Sequence, residues 1–196
     1  MIEEQLSQMD REVQECTRCE LYLKRTQAVL GGGNPFSELM LIGEGPGEEE
    51  DRQGVPFVGK SGQLLDKILA AAGFSKEENV YITNIVKCRP PGNREPNPEE
   101  RAACLPFLMR QIELIQPGII VLLGSTALKA LINPEGRITK MRGKWITWNG
   151  IQVIPTYHPS ALLRNPDLKK DVWEDFKSVV QKYREEIDPH HHSNYT

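Results

Sequence analysis

Four cysteines, one internal histidine and one asparagine inside an apolar run are the residues of this chain best suited to chemistry. Cys16 and Cys19 form a Cys-x2-Cys pair, and Cys88 and Cys104 a Cys-x15-Cys pair, with Cys88 entering a Pro-rich loop and Cys104 on the helix after it. No export signal supports a disulfide reading. Four thiolates suit a structural zinc or an iron–sulfur cluster, and spacing leaves both open. Of four histidines, three lie in the tail, and only His158, in TYHPSALLR, lies within the folded part. It follows a strand-like run, at the edge where α/β proteins bind ligands. Asn84 interrupts YITNIV. A buried Asn needs partners for both ends of its amide. Its carbonyl can accept from the N3–H of uracil while its NH2 donates to O4; cytosine presents the reverse pattern.

A third candidate is the stretch GEGPGEEEDRQGVPFVGKSG, from Gly43 to Gly62. Gly54, four residues and Gly59-Lys60-Ser61 match a phosphate-loop pattern. The match fails on context. A phosphate loop follows its strand directly so that backbone N–H groups converge on the anion, whereas here the apolar run ends at Ile42. Pro56 has no N–H, Phe57 would put a ring in the cradle, and Glu48, Glu49, Glu50 and Asp51 would repel a triphosphate. A nucleotide-binding protein remains the alternative, alongside a non-catalytic DNA-binding module. Gly43, Gly45 and Gly47 let backbone N–H groups approach a flat neutral ligand closely. Nearby acids suit the cationic transition state of cleavage at a sugar's anomeric carbon. Phe57 offers a surface for stacking a base.

The elements that must hold these residues follow from periodicity. Residues 3–15 read as a polar helix and Leu39–Glu44 as a buried strand. Ser61–Ala72 has helical spacing and stops at Gly73. Val80–Val86 is a second strand and CRPPGNREPNP is irregular. Pro98–Ile115 is a long helix, Gly118–Gly124 a third strand, and Ser125–Ile132 a short helix. Asn149-Gly150 between two strand-like runs predicts a hairpin, and Asp167–Glu186 a closing helix. Strands alternating with helices predict an α/β fold with a mostly parallel sheet covered on both faces. One domain over residues 1–188 and a disordered tail over 189–196 are expected.

The chain has 196 residues, enough for one core, with 39% apolar and 26% charged residues. It carries no stretch that reads as a signal peptide or membrane span, so a cytoplasmic protein is expected. Net charge is −3, but residues 129–170 carry eight basic and two acidic residues, a local +6. A basic face can meet a polyanion, although charge alone is equally met by solvated lysines.

GEGPGEEED, PFVGKSGQLLD, YITNIVKCRPP and YHPSALLR, with four cysteines at these spacings, together resemble the family-4 uracil-DNA glycosylases of the uracil-DNA glycosylase superfamily. The resemblance runs from Cys16 to about Tyr183. It implies the superfamily's fold, a three-layer α/β/α arrangement around a central four-stranded, mostly parallel sheet, and monofunctional release of uracil from single- or double-stranded DNA, with water as nucleophile, by a monomer. It also implies a 4Fe–4S cluster on Cys16, Cys19, Cys88 and Cys104. Carried over residue by residue, Gly43, Glu44, Gly45 and Gly47 bind uracil and the water through backbone groups. Phe57 stacks on the base, Asn84 selects uracil, and His158 donates to uracil O2 and stabilises its anion. Lys140, Arg142, Ser160, Leu162, Leu163 and Arg164 fall to the DNA. Other branches carry a carboxylate or Asn at the position of Gly45 and a bulky residue near Gly47. Here both are glycine, which leaves Glu50, at the pocket mouth, as the candidate for excluding thymine's methyl.

Overall fold

The computed structural model describes residues 1–195. Its centre is a sheet of six strands in the order β1-β3-β2-β4-β6-β5. The inner four run parallel: β3 (Val80–Asn84), β2 (Leu39–Gly43), β4 (Ile119–Leu123) and β6 (Ile151–Thr156). They are the expected four-stranded core. Two short antiparallel edge strands widen it: β1 (Gly32–Gly33) beside β3, and β5 (Ile146–Trp148) beside β6. The β5–β6 hairpin turns at Asn149 and Gly150, both at positive φ, as the Asn-Gly signal predicts.

Every residue of β2, β3 and β4 is buried, because helices cover both faces of the sheet. Met40, Ile42, Ile120 and Leu122 face one layer, built from α1 (Ile2–Gln14), α4 (Pro98–Ile115) and α5 (Ser125–Leu131). Leu39, Leu41, Ile119 and Val121 face the other, built from α3 (Lys60–Ala71) and α8 (Lys169–Glu186). The alternation along each strand sorts its side chains between the two layers. In register, Gly43 pairs with Asn84 and Leu123 with Thr156, so the four carboxyl ends lie level. That edge is where an open parallel sheet binds ligands.

Three short helices sit in segments expected to be loops. They are α2 (Glu48–Gln53), α6 (Ile138–Met141) and α7 (Pro159–Arg164). The glycines of the phosphate-loop pattern serve helix ends. Gly54 closes α2 in the left-handed conformation, and Gly59 is the N-cap of α3. The pattern is therefore two helix termini and a turn, not a strand-to-helix phosphate cradle.

Residues 189–195 lie against the end of α3, and Thr196 falls outside the described residues. His191 stacks on Phe74 with ring centroids 4.4 Å apart, and its Nε2 lies 2.8 Å from the Ala72 carbonyl. The Asn194 N–H donates to the Ala71 carbonyl at 2.8 Å. The last carbonyls of α3 lack partners within the helix, and the polar tail supplies them. Among the described residues, no helix is long and apolar enough to cross a membrane.

Candidate active site

The carboxyl ends of β2, β3, β4 and β6 open into a cleft of about 490 Å³. Its walls come from the Gly43–Gly47 loop, Phe57, Asn84, the Pro90–Arg94 turn, Gly124–Ser125 and α7. It gathers the residues that sequence spacing singled out across more than a hundred positions.

Asn84 ends β3 and is 2% exposed. Its Oδ1 is the one buried side-chain N or O atom, among the described residues, that has no hydrogen-bond partner. An orphaned buried acceptor is costly unless something else supplies its donor. Asn84 sits against Gly43 and Phe57. A Cβ on Gly43 would lie 2.6 Å from both the Asn84 Oδ1 and the Phe57 Cζ, so only glycine fits between them. Phe57 adopts φ 53°, unusual for a bulky residue and a sign of stored strain at a site. It is held there from behind: a Cβ on Gly62 would come within 2.0 Å of the Phe57 carbonyl. The Lys76 Nζ also donates to that carbonyl at 3.0 Å.

His158 is the N-cap of α7, and Pro159 occupies the first helical position. The Ser160 N–H donates to the His158 Nδ1 at 3.1 Å. With Nδ1 accepting, the neutral ring carries its proton on Nε2. Burial, with a smaller push from the Arg164 guanidinium, holds its pKa down at about 4. The ring centroid is 5.8 Å from that of Phe57. The cleft thus holds an unpartnered acceptor, an aromatic face and a neutral imidazole donor.

The loop after β2 is built by its acids. The Glu44 carboxylate turns away to accept from the Thr126 hydroxyl at 2.7 Å, and burial raises its pKa. Glu44 and Gly45 border the cleft, and the Glu44 carbonyl accepts from the Val86 N–H at 3.1 Å. Glu50 lines the cleft too, but its carboxylate is engaged inside the loop. Its Oε1 accepts from the Gly47 N–H at 3.0 Å; its Oε2 accepts from the Val58 and Gly59 N–H groups at 2.8 and 2.6 Å. It binds α2, the Phe57 turn and the start of α3 into one unit. Each end of this carboxylate meets a donor, so an amide would set its NH2 against one of them. Glu50→Gln is expected to cost about 1–3 kcal/mol and to lower Tm by roughly 3–9 °C, read by calorimetry. An unchanged Tm would contradict the clamp.

The DNA candidates divide. Leu162 is 1% exposed and packs in the core, so it anchors α7; its neighbour Leu163 is 47% exposed. Helix phase turns one inward and one outward, a distinction their adjacency hides. Arg142 is also engaged elsewhere: its Nη2 and Nε donate to the two oxygens of buried Asp175 at 2.5 and 3.0 Å. It holds α8 to the segment after α6 and has no guanidinium free for a phosphate. Lys140 and Arg164 are exposed, and Ser160 and Arg164 border the cleft.

On the far side of the Pro-rich segment, Cys16, Cys19, Cys88 and Cys104 border one small cavity. The Arg25 Nη1 donates to the Cys88 sulfur at 3.0 Å and the Lys87 N–H to the Cys104 sulfur at 3.2 Å. Burial pushes the Cys104 thiol up to about 11 and raises Cys19 and Cys88 as well. Among the described residues, no group of three or more His, Cys, Asp or Glu is placed to hold a metal ion. The sulfurs share a cavity without converging on one point.

Several contributors were missed by sequence reasoning. Thr126 and Arg25 act through partners 82 and 63 residues away, and nothing local marks them. The cleft wall from Pro90 to Arg94 was passed over as irregular; Arg94 is pinned there by a bidentate pair with Glu100, at 2.7 and 2.9 Å. Helix α2 had a readable signal: glycine on both sides, acids in the first turn and Arg52 in the last.

The cleft and its loops fall inside a stretch with known relatives. Residues 30–177 match the model of the uracil DNA glycosylase superfamily. A type-4 uracil-DNA glycosylase of Thermotoga maritima is 50% identical over 187 residues, covering 92% of this chain and 97% of that protein. Enzymes of the same name from Sulfurisphaera tokodaii and Saccharolobus solfataricus are 46% and 47% identical, over 89% and 87% of this chain. The matched stretch spans the β2 loop, Asn84, the Pro-rich segment and α7, and the chain belongs to the uracil DNA glycosylase superfamily.

Proposed function

We propose that this protein is a DNA-repair uracil-DNA glycosylase that extrudes uracil from DNA and hydrolyses its N-glycosidic bond, leaving free uracil and an abasic site. The observation that carries this reading is the orphaned Oδ1 of Asn84, in a cleft with Phe57 and a neutral His158. Uracil completes it: N3–H donates to Oδ1, the Asn84 NH2 donates to O4, and the ring stacks on Phe57.

Extrusion costs a few kcal/mol of stacking and pairing. Exposed Leu163 is the apolar wedge that fills the gap, standing on a helix that Leu162 anchors. Arg164, Lys140 and Ser160 take phosphates. In the reaction the C1′–N1 bond breaks, its electron pair leaves with uracil, and charge builds on O2. The Nε2–H of His158 donates to that oxygen. A neutral donor suits the task, since it strengthens its hydrogen bond as charge develops without giving up its proton. Water held by the Glu44–Gly45 backbone adds to C1′ and loses a proton to solvent, while the uracil anion is protonated on release. The cationic sugar is electrophilic enough that no strong base is needed. We read the enzyme as a cytoplasmic monomer acting on single- or double-stranded DNA.

A uracil-bearing oligonucleotide incubated with the protein in the presence of borohydride tests this route. Free uracil should be released, and borohydride should trap no protein–DNA adduct. A trapped adduct would overturn it.

The cysteine site fits a 4Fe–4S cluster on Cys16, Cys19, Cys88 and Cys104. A zinc ion would draw four sulfurs to about 2.3 Å from a single point. A cluster bonds each to a different iron, which suits thiols bordering a cavity without converging. N–H donors already reach two of the sulfurs. Bound, the group supplies a cross-link between the segment after α1, the start of the Pro-rich wall and α4. Purified protein is expected to be brown with about four irons per chain, and Cys104→Ala to lose both colour and iron. Stoichiometric zinc and no iron would contradict the assignment.

A further inference from the structure

Lys87 is a buried lysine that the base-reading and cysteine sites both touch and neither explains. It is 0% exposed and is the largest of the fully buried side chains. Among the described residues no Asp or Glu pairs with it. Its Nζ donates to the Asn84 carbonyl at 2.6 Å and to the Thr83 hydroxyl at 2.7 Å. Its backbone N–H donates to the Cys104 sulfur, and its own carbonyl accepts from the Val29 N–H at 2.7 Å. Cys88 follows it directly in the chain.

A buried ammonium is strongly disfavoured without an opposing charge nearby. Neutral oxygens at Thr83 and Asn84 satisfy two of its protons but bring no charge. Among the described residues, the groups beside it that can carry an opposing charge are the thiols of Cys104, which its own N–H reaches, and of Cys88, next in the chain. At the other end, the ammonium fixes the backbone of Asn84, whose side chain makes no hydrogen bond of its own through Oδ1.

We infer that Lys87 is a positioning residue that couples the four-cysteine centre to the base reader, its ammonium balancing the thiolate charge while it holds the Asn84 carbonyl in register. The inference rests on the glycosylase reading for what Asn84 does and on the cluster for the opposing charge. It gives the Pro-rich segment a second purpose: the residue that enters the cysteine site reaches back to the uracil pocket.

The test is Lys87→Met, of similar length and without charge, in the iron-loaded protein, beside wild type. Removing a nearby cation disfavours the more reduced, more negative centre, so the reduction potential should move to a more negative value. In steady state kcat should fall about tenfold with KM for DNA changed less than twofold, since no DNA contact is touched. An unchanged potential together with unchanged kcat would overturn the inference. So would a potential shift with an untouched kcat, because the coupling would be absent. Should the variant fail to fold or load iron, wild-type protein stripped by a chelator, its helical circular dichroism retained, serves instead. Free-uracil binding should weaken at least fivefold on stripping; unchanged binding would overturn the coupling. Loss of all uracil release in wild type would instead defeat the glycosylase reading, while the potential shift would still report the charge balance.

Discussion

Asn84→Asp is expected to abolish most uracil release while leaving the fold intact. The two side chains have nearly the same shape, and Asn84 makes no protein hydrogen bond through Oδ1 that the change would break. At neutral pH the introduced carboxylate can still accept from N3–H. Its second oxygen, however, faces uracil O4, where the amide donated. One hydrogen bond becomes a repulsion between two acceptors in a buried site, a loss of about 3–4 kcal/mol, or roughly 10²–10³ in kcat/KM. The pH dependence has a definite sign. A protonated carboxyl can donate to O4, so the residual activity of the variant should rise as pH falls, opposite to any acid limb of the wild type. Kinetics on a uracil oligonucleotide from pH 5 to 8 read this directly. A variant as active as wild type would remove Asn84 from the base.

The second large effect is at His158. Loss of one preorganised donor to a developing anion typically costs 10²–10³ in kcat, and His158→Ala is expected to fall in that range with little change in KM. Alanine also removes the cap that His158 gives α7. His158→Asn separates the two roles, because asparagine caps helices well but cannot reach with an Nε2–H. It should recover the Tm and not the rate. With a folded pKa of about 4, the ring is neutral across the working range. Activity should therefore show no limb near pH 6.5 from this group, and should fall only as pH approaches 4. Stability carries the matching sign. Between the unfolded value near 6.5 and about 4, the unfolded chain binds a proton that the native ring refuses. Stability from this group is full above 6.5 and is lost as pH drops through that window. A bell with its acid arm at pH 6.5 that disappears in His158→Asn would contradict a neutral donor.

These two residues were legible in the sequence because each breaks a local pattern: a polar side chain ending an apolar strand, and a lone histidine where a strand gives way to Pro. β6 was legible from the Asn-Gly turn before it, and β2, β3 and β4 from their own composition. Strands buried on both faces read as unbroken apolar runs. What was hidden lies in partners far along the chain. Arg142 counts toward a basic face until Asp175, 33 residues on, takes it. Leu162 and Leu163 are alike in sequence, and only the phase of α7 separates anchor from wedge. Gly32 and Gly33 form an edge strand against strand propensity, because β3 offers them a partner. Glu50 read as a charge at the mouth of the pocket; its three backbone partners span residues 47 to 59 and exist only once the loop has folded.

The same geometry explains why the loop after β2 needs glycine where it does. At Gly43 the backbone must pass between the Asn84 amide and the Phe57 ring, with no room for a Cβ. The cleft is thus shaped by what the chain omits as much as by what it presents, and among the described residues the Asn84 Oδ1 is the buried side-chain atom left without a protein partner.

The measurement that bears most directly on the account is release of free base from oligonucleotides carrying a single uracil or, at the same position, thymine, by wild-type protein and by Asn84→Asp. The account predicts free uracil and an alkali-labile abasic strand with wild type, no release of thymine, and near-complete loss of uracil release in the folded variant. Iron-loaded wild-type protein that leaves uracil in place in both single- and double-stranded DNA would contradict it.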